Sequence, residues 1–321
     1  MTEYPKISIV TPSFNQGQYI EQTILSVLNQ NYPNLEYIII DGGSSDNTVE
    51  IIKKYEAQLK YWVSEPDKGQ SDAINKGLEH CAGEIFNWLN SDDYLEPGAL
   101  EFIAKEYQKE PFTALCNCVN VIDGTVFSHI RNPSFLGADK EESIAKFNIN
   151  QEGTWFSLNA VKKMIGVNES LHLLMDLELW FKLLCNFPFI SFRKTDYIVS
   201  NFRRHENAKS TIGNQEQSND GGFLGEQVNL FQLFVPNNSE IKYSFYFNCA
   251  PNSKIDSRFF QIEDKSKIKI TQLYLYEKVK LYFYENQFSL AKKLIKLIDT
   301  NTLPQYKKDI QYLKRKLFFK F

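Results

Sequence analysis

Ile85-Phe-Asn-Trp-Leu-Asn-Ser-Asp-Asp93 is the stretch on which the reading of this chain turns. The apolar run Ile85–Leu89 has the length and composition of a buried strand. The polar residues after it put two adjacent carboxylates at that strand's carboxyl end, where open α/β sheets take their ligands. Two carboxylates at one point repel each other unless a cation sits with them. Mg²⁺ or Mn²⁺, hard ions that also grip phosphates, suit such a place. Asp92 and Asp93 ahead of a helix would also serve as a cap in a solvated loop, so the surrounding sequence has to decide.

Working outward, strand and helix signals alternate. Lys6–Thr11 reads as a first strand, Tyr19–Leu28 as a helix with Ile20, Ile24, Leu25 and Leu28 at helical spacing, and Leu35–Ile40 as a second strand ending at Asp41. Asn47 with Glu50 three residues on reads as a capping box for a helix to about Tyr55. A strand near Tyr61–Val63, a helix from about Ser71 to His80 and the Ile85–Leu89 strand follow. Repeated βα alternation predicts an α/β fold: a mostly parallel central sheet with helices on both faces. Each strand end carries polar or glycine residues, as a nucleotide site requires. Asp41 is placed to accept hydrogen bonds from a base or ribose, and Gly42 after it allows close backbone approach. Neither G-x-G-x-x-G nor G-x-x-x-x-G-K-[ST] is present, so dinucleotide dehydrogenase and NTPase readings lack their phosphate loops.

With 321 residues, 43% of them hydrophobic, the chain can bury a full core and carry an appendage. The start of the sequence runs straight into a strand signal and no long uncharged apolar run occurs, which predicts a cytoplasmic protein. Five cysteines, without paired zinc spacing, read as reduced thiols. The net charge of −3 hides a split: residues 1–240 hold 19 Lys and Arg against 32 Asp and Glu, and residues 241–321 hold 17 against 7. The basic part ends in Tyr312-Leu-Lys-Arg-Lys-Leu-Phe-Phe-Lys-Phe321, cations alternating with aromatics and aliphatics. That composition suits peripheral contact with an anionic membrane, or a packed helix with a solvated basic face. No nucleic-acid partner is indicated.

Five ordered segments resemble the family 2 glycosyltransferases of bacterial polysaccharide synthesis: Ile9–Asn15, Ile40–Thr48, Gly69–Gly77, Gly83-Glu84 and Leu89–Asp93. The resemblance implies the GT-A fold, a UDP-linked nucleotide-sugar donor, an inverting mechanism and a divalent ion, Mn²⁺ or Mg²⁺. By position it implies that Thr11, Pro12 and Asn15 wrap the nucleotide and that Asp41 reads the base. Gln70, Asp72 and Asn75, with Asp67, flank the nucleoside and support the metal loop, although Ser71 or Asp72 could simply cap a helix. Asn90-Ser91-Asp92-Asp93 takes the Asp-x-Asp position, with Asp92 the direct metal ligand and Asp93 beside it. Here the first acid is Asn90, an amide that adds no charge.

The same resemblance extends to Gln151–Phe156 and Leu173–Phe181, the acceptor side. It makes Asp176 the general base, with Glu178 the weaker alternative; an N-cap for a helix from Leu177 to Leu184 is the competing role for Asp176. Among apolar neighbours its pKa would rise if it were buried. Trp155 and Trp180 would stack on a sugar or fill the core. In Arg203–Thr211, Arg204 and Lys209 are expected on the diphosphate and His205 in the metal shell. The implied acceptor is a glycan or lipid-linked sugar. The domain reading is residues 1–225, with a nucleotide-sugar half to residue 100 and an acceptor half beyond it. A mainly helical extension, 226–321, follows, with a joint at Ala250–Lys254. A degenerate nucleotide-sugar-binding scaffold and a nucleotidyltransferase are the rival readings.

Overall fold

The computed structural model of the chain describes residues 4–206, 208, 209, 222–236, 239, 241 and 254–318. They gather into two compact units, residues 1–134 with 149–214 and residues 135–148 with 215–321. The expected joint at 250–254 falls outside the described residues except for Lys254, as does Cys249.

The first unit holds a sheet of nine strands among the described residues. Its parallel block is built from β1 (Ile7–Ser13), β2 (Leu35–Asp41), β3 (Tyr61–Ser64) and β4 (Ile85–Trp88), in the order β3-β2-β1-β4. The order reverses at β1, and so the carboxyl ends of β1, β2 and β4 open side by side into the crevice where such sheets bind ligands. Beyond β4 the sheet continues through β8 (Thr154–Ser157), β6 (Ala114–Asp123), β9 (Phe192–Arg204) and the short β5 (Tyr94–Leu95). β8 is antiparallel to both β4 and β6, while β6 and β9 run parallel. β7 (Val126–Arg131) pairs with β6 as a hairpin.

Alternation along β1 assigns the two faces. Ile7 and Ile9 join one buried cluster with Ile20, Ile24 and Val27 of α1 (Ile20–Leu28) and Ile51 and Ile52 of α2 (Thr48–Tyr55). Val10 points to the opposite face, against α3 (Gln70–Glu79): a Cβ on Gly77 would lie 2.4 Å from Val10 Cγ1, so only glycine lets that helix settle. Each aliphatic side chain buried this way contributes about 1.5–3 kcal/mol. The expected capping box at α2 is not formed. Asn47 holds the N-cap position without a side-chain cap bond, and Asp46 accepts from the Thr48 backbone N–H at 3.0 Å instead.

α4 (Ala99–Lys109) and α6 (Leu158–Lys163) complete the first unit together with α7 (Met175–Asn186). Trp155 and Trp180 are both fully buried, so they fill the core and are not open to a sugar face. The second unit is helical, with α5 (Lys140–Ala145) and helices Gly222–Gln232, Asp264–Tyr284, Phe288–Ile295 and Lys307–Phe318. Asp139 caps α5 by accepting from the Glu142 N–H at 2.9 Å and pairs with Lys269. Phe231 and Tyr274 stack at 3.8 Å. No described helix is long and apolar enough to cross a membrane.

Candidate active site at the carboxyl ends of the strands

The turn after β4 sends its two acids in opposite directions. Asp93 turns inward: it is 1% exposed and accepts hydrogen bonds from the Arg203 backbone N–H (2.9 Å) and Asn90 Nδ2 (3.1 Å). Burial raises its pKa well above the usual carboxylate range, and the charges of Asp92 and Glu152 push the same way. Asp92 turns outward, and its Oδ2 lies 2.9 Å from His205 Nε2, just past the end of β9. Residues 113 positions apart are therefore brought together because β5 and β9 pair beside the turn. Tyr19 lies against the His205 ring at 4.8 Å, and the Arg203 guanidinium sits over both Tyr19 (4.7 Å) and Tyr94 (5.2 Å). This column fixes the imidazole opposite Asp92.

Of the three residues expected around a metal, Asp92 and His205 converge and Asp93 does not present its carboxylate. Among the described residues no group of three or more His, Cys, Asp or Glu side chains could hold an ion. The pair still fits a nucleotide-bound Mg²⁺ or Mn²⁺, because such ions commonly take one or two protein ligands and complete their shell with phosphate oxygens and water. Two donor atoms 2.9 Å apart match adjacent positions of an octahedral shell with bonds of about 2.1 Å. His205 Nδ1 is buried without a hydrogen-bond partner, so the ring is not committed elsewhere.

A further acid, Glu152 of the Gln151–Phe156 segment, is given no role of its own by the sequence. It is buried on the short helical turn before β8, paired with Arg131 Nη1 at 3.2 Å. Burial holds its pKa up against the pull of Arg131, and Asp92 adds to the rise. Its neighbour Gln151 donates to Asn87 Oδ1 (2.8 Å) and the Trp88 carbonyl (2.6 Å), tying this turn to β4 beneath the site. The resemblance of Gln151–Phe156 is the signal that points to this turn, and no spacing rule singles out its glutamate.

At the ends of β1 and β2 the acid is spent internally. Asp41 is 0% exposed and accepts from Gly43 N (3.2 Å), Ser44 N (2.9 Å), Ser44 Oγ (2.5 Å) and Ser64 Oγ (2.6 Å). Its carboxylate builds the turn rather than facing open space. What faces outward is Asn15, whose φ of 51° lies in the left-handed region that asparagine tolerates. Asn15 N donates to Ser44 Oγ and its Oδ1 accepts from Ser45 N. Thr11 Oγ1 pairs with the Tyr37 hydroxyl at 3.0 Å in the interior, and Pro12 is buried. Gly42 lies under Asp67: a Cβ there would come within 2.8 Å of Asp67 Oδ2.

Helix α3 ties the turn after β4 to the segment around Val167. Gln70 donates to Asn90 Oδ1 (2.7 Å) and accepts from Lys209 Nζ (2.9 Å), which also reaches the His172 carbonyl (3.1 Å). Lys209 thus meets Gln70, the hydrogen-bond partner of Asn90, while Ser91 is buried with its carbonyl against Thr23 Oγ1. Arg204 is elsewhere: its guanidinium forms a two-pronged pair with Asp123 (2.6 and 2.8 Å) at the β6–β7 hairpin. Asp72 accepts from Lys68 N and pairs with Lys76, a helix-start role. Asn75 clamps Val167 by both its backbone groups (2.9 and 3.0 Å). That clamp needs Gly166, with φ 71°, because a Cβ there would sit 2.3 Å from Asn75 Oδ1.

The clamped strap leads into α7. Asp176 is the second residue of this helix, behind an N-cap at Leu174, so it is not the cap. Its Oδ1 accepts from the Leu177 N–H at 2.7 Å, and it is half-buried, short of the burial assumed for a raised pKa. Glu178 is buried with Lys182 at 2.9 Å, and Lys182 also donates to the Met164 and Gly166 carbonyls. Glu178 is thereby removed from the list of bases.

The model of the family described as Glycosyl transferase family 2 matches residues 8–172, just over half of the 321 residues. An uncharacterized glycosyltransferase of Mycobacterium tuberculosis is 42% identical over 94 residues, covering 29% of this chain and 36% of that protein. Chondroitin synthase of Pasteurella multocida is 32% identical over 185 residues, covering 56% of this chain and 19% of that protein. The chain spans well under two thirds of the length of these relatives. Among solved structures, S. aureus TarS 1-349 in complex with UDP-GlcNAc superposes with a TM-score of 0.63 at 16% identity over 97% of this chain and 88% of that one. The mannosyltransferase PcManGT of Pyrobaculum calidifontis, in complex with GDP-Man and Mn²⁺, gives 0.53 at 14% identity, covering 100% of this chain and 89% of that one. At such identities the superpositions speak to the fold, and the span matched by sequence speaks to descent: this chain belongs to glycosyl transferase family 2 and has its GT-A fold.

Proposed function

We propose that the chain is a metal-dependent, inverting glycosyltransferase that moves one sugar from a nucleotide-sugar donor, UDP-linked, to a glycan or lipid-linked acceptor in cell-surface polysaccharide synthesis. The observation that carries this reading is the Asp92–His205 pair, held at 2.9 Å at the carboxyl end of β4, the edge at which open α/β sheets generally take their ligands. A bound Mg²⁺ or Mn²⁺ would supply Lewis-acid stabilisation of the diphosphate leaving group. The chain's own residues do the rest. Asp92 and His205 would hold the ion, Tyr19 keeps the imidazole in place, and Lys209 brings a cation to Gln70, the partner of Asn90. Asp176 removes the proton from the acceptor hydroxyl as that oxygen attacks the anomeric carbon in a single displacement. A catalytic region of 1–225 acting in the cytoplasm, peripherally on the inner face of the membrane, agrees with a lipid-linked acceptor.

Asp176→Asn tests the assignment. Asn is nearly isosteric and cannot accept a proton at neutral pH, so single-turnover transfer should drop by about 10²- to 10⁴-fold with donor affinity near that of the parent. Product made by the parent should have the anomeric configuration opposite to the donor's. Near-parental transfer by the variant removes Asp176 from the role, and retained configuration removes single displacement. A scaffold with a degenerate site would bind nucleotide sugar with no Mn²⁺-dependent turnover at all.

A further inference from the structure

We propose that the two C-terminal helices Phe288–Ile295 and Lys307–Phe318 form a docking face for an anionic lipid bilayer. The helices bury Ala291, Leu294 and Ile295 on one side of the pair and Ile310, Leu313 and Leu317 on the other, which fixes the opposite faces toward solvent. Between residues 288 and 318 there are eight Lys and Arg against two acids, and one of those acids, Asp309, is engaged by the Tyr276 hydroxyl. The cations are not scattered. Lys292 and Lys296 of the first helix both approach the Phe318 ring of the second, at 5.9 and 5.6 Å, and Lys316 approaches Tyr312 at 5.7 Å. Phe318 is 43% and Tyr312 50% exposed.

An exposed ring with lysine ammonium groups beside it is an arrangement an interface favours: the ring enters the headgroup layer and the ammonium groups meet the phosphates. Leu281, Tyr284 and Phe288 are also exposed where the preceding helix, Asp264–Tyr284, turns into this pair. A soluble polyanion would pair with the lysines and leave this apolar surface in water, whereas a bilayer covers both. The face therefore fits anionic lipid better than a nucleic acid or a free polyphosphate. Truncation at Tyr312 would be a poor probe, because it removes the buried Leu313 and Leu317 along with the cations.

The test is flotation of the full chain with vesicles of phosphatidylcholine, with or without phosphatidylglycerol, over a salt series. The parent should bind the anionic vesicles at low ionic strength and release them as salt rises. Each cation is worth about fivefold in partition, so Lys292→Glu with Lys296→Glu should lower it by more than tenfold. Phe318→Ser with Tyr312→Ser should also lower partition while leaving the salt dependence in place. Should the first pair fail to fold by circular dichroism, the exposed Lys293→Glu with Arg315→Glu takes its place. No binding of the parent to anionic vesicles at low salt, unchanged partition in the charge variants, or preference for soluble polyphosphate with no effect of the ring variants overturns the proposal. The readout is binding, so none of these outcomes depends on the chemistry proposed for Asp92 and Asp176.

Discussion

The ends of β2 and β4 look alike in sequence and differ in what they leave available. Both strands are runs of apolar residues that stop at an acid in a polar loop. At β2, Asp41 is sealed from solvent and its oxygens take four hydrogen bonds from the turn it builds. At β4, Asp93 plays that internal part, while Asp92, one residue earlier, is left facing His205. A second acid at the strand end frees the first for a ligand. The acid that ends β2 serves the backbone, and the exposed groups beside it include the neutral Asn15 and Ser45.

The largest expected effect lies at β4. Asp92→Ala removes one of two converging donors from a half-buried position whose carboxylate meets His205. Mn²⁺-dependent donor binding and turnover should then fall by at least about a hundredfold, with the melting temperature close to the parent's. Titration calorimetry with nucleotide in the presence and absence of Mn²⁺ reads this directly, and an unchanged metal dependence would erase the distinction between the two strand ends.

Asp41→Ala should fail in the other way. It strands donors that now end on a buried carboxylate, which costs about 1–3 kcal/mol of stability. A lowered melting temperature with altered nucleotide affinity only in proportion to the misfolded fraction supports a structural acid. A normal melting temperature with nucleotide discrimination lost would mean that Asp41 reads the base after all.

The smallest effect sharpens the β4 side. Glu152 is buried next to Asp92, and its pKa stands above the ordinary carboxyl value of about 4.3. Between that value and the higher folded one the native state holds the extra proton, so the Glu152 contribution to stability declines as pH rises through this window. Gln cannot ionise. The melting temperature of Glu152→Gln relative to the parent should therefore climb from pH 4 toward neutrality, and a flat or falling difference would show that the Arg131 pair outweighs burial.

Much of the β1–β4 region was legible because its signals are local. The alternation of apolar runs with helical spacing fixed the β1-α1-β2-α2-β3-α3-β4 order, since a strand needs about five apolar residues and a helix a 3.6-residue period, and both are visible in one dimension. The polar loops at the strand ends were visible for the same reason, and so was the basic character of residues 241–321. The use of each polar residue was not. Whether Asp41 faces a ligand or its own turn, whether Arg204 meets a phosphate or Asp123, and whether Glu178 is a base or the partner of Lys182 depend on which donor lies within about 3 Å. Gly166 under Asn75, Glu152 beside Asp92, and His205 113 residues from its carboxylate are likewise products of tertiary packing. The chain alone determined the elements and the chemistry placed at their ends. Only the folded structure decided which acids were consumed in holding the turns and which remained to act, because a carboxylate's availability depends on the sum of its neighbours and not on its place in a motif.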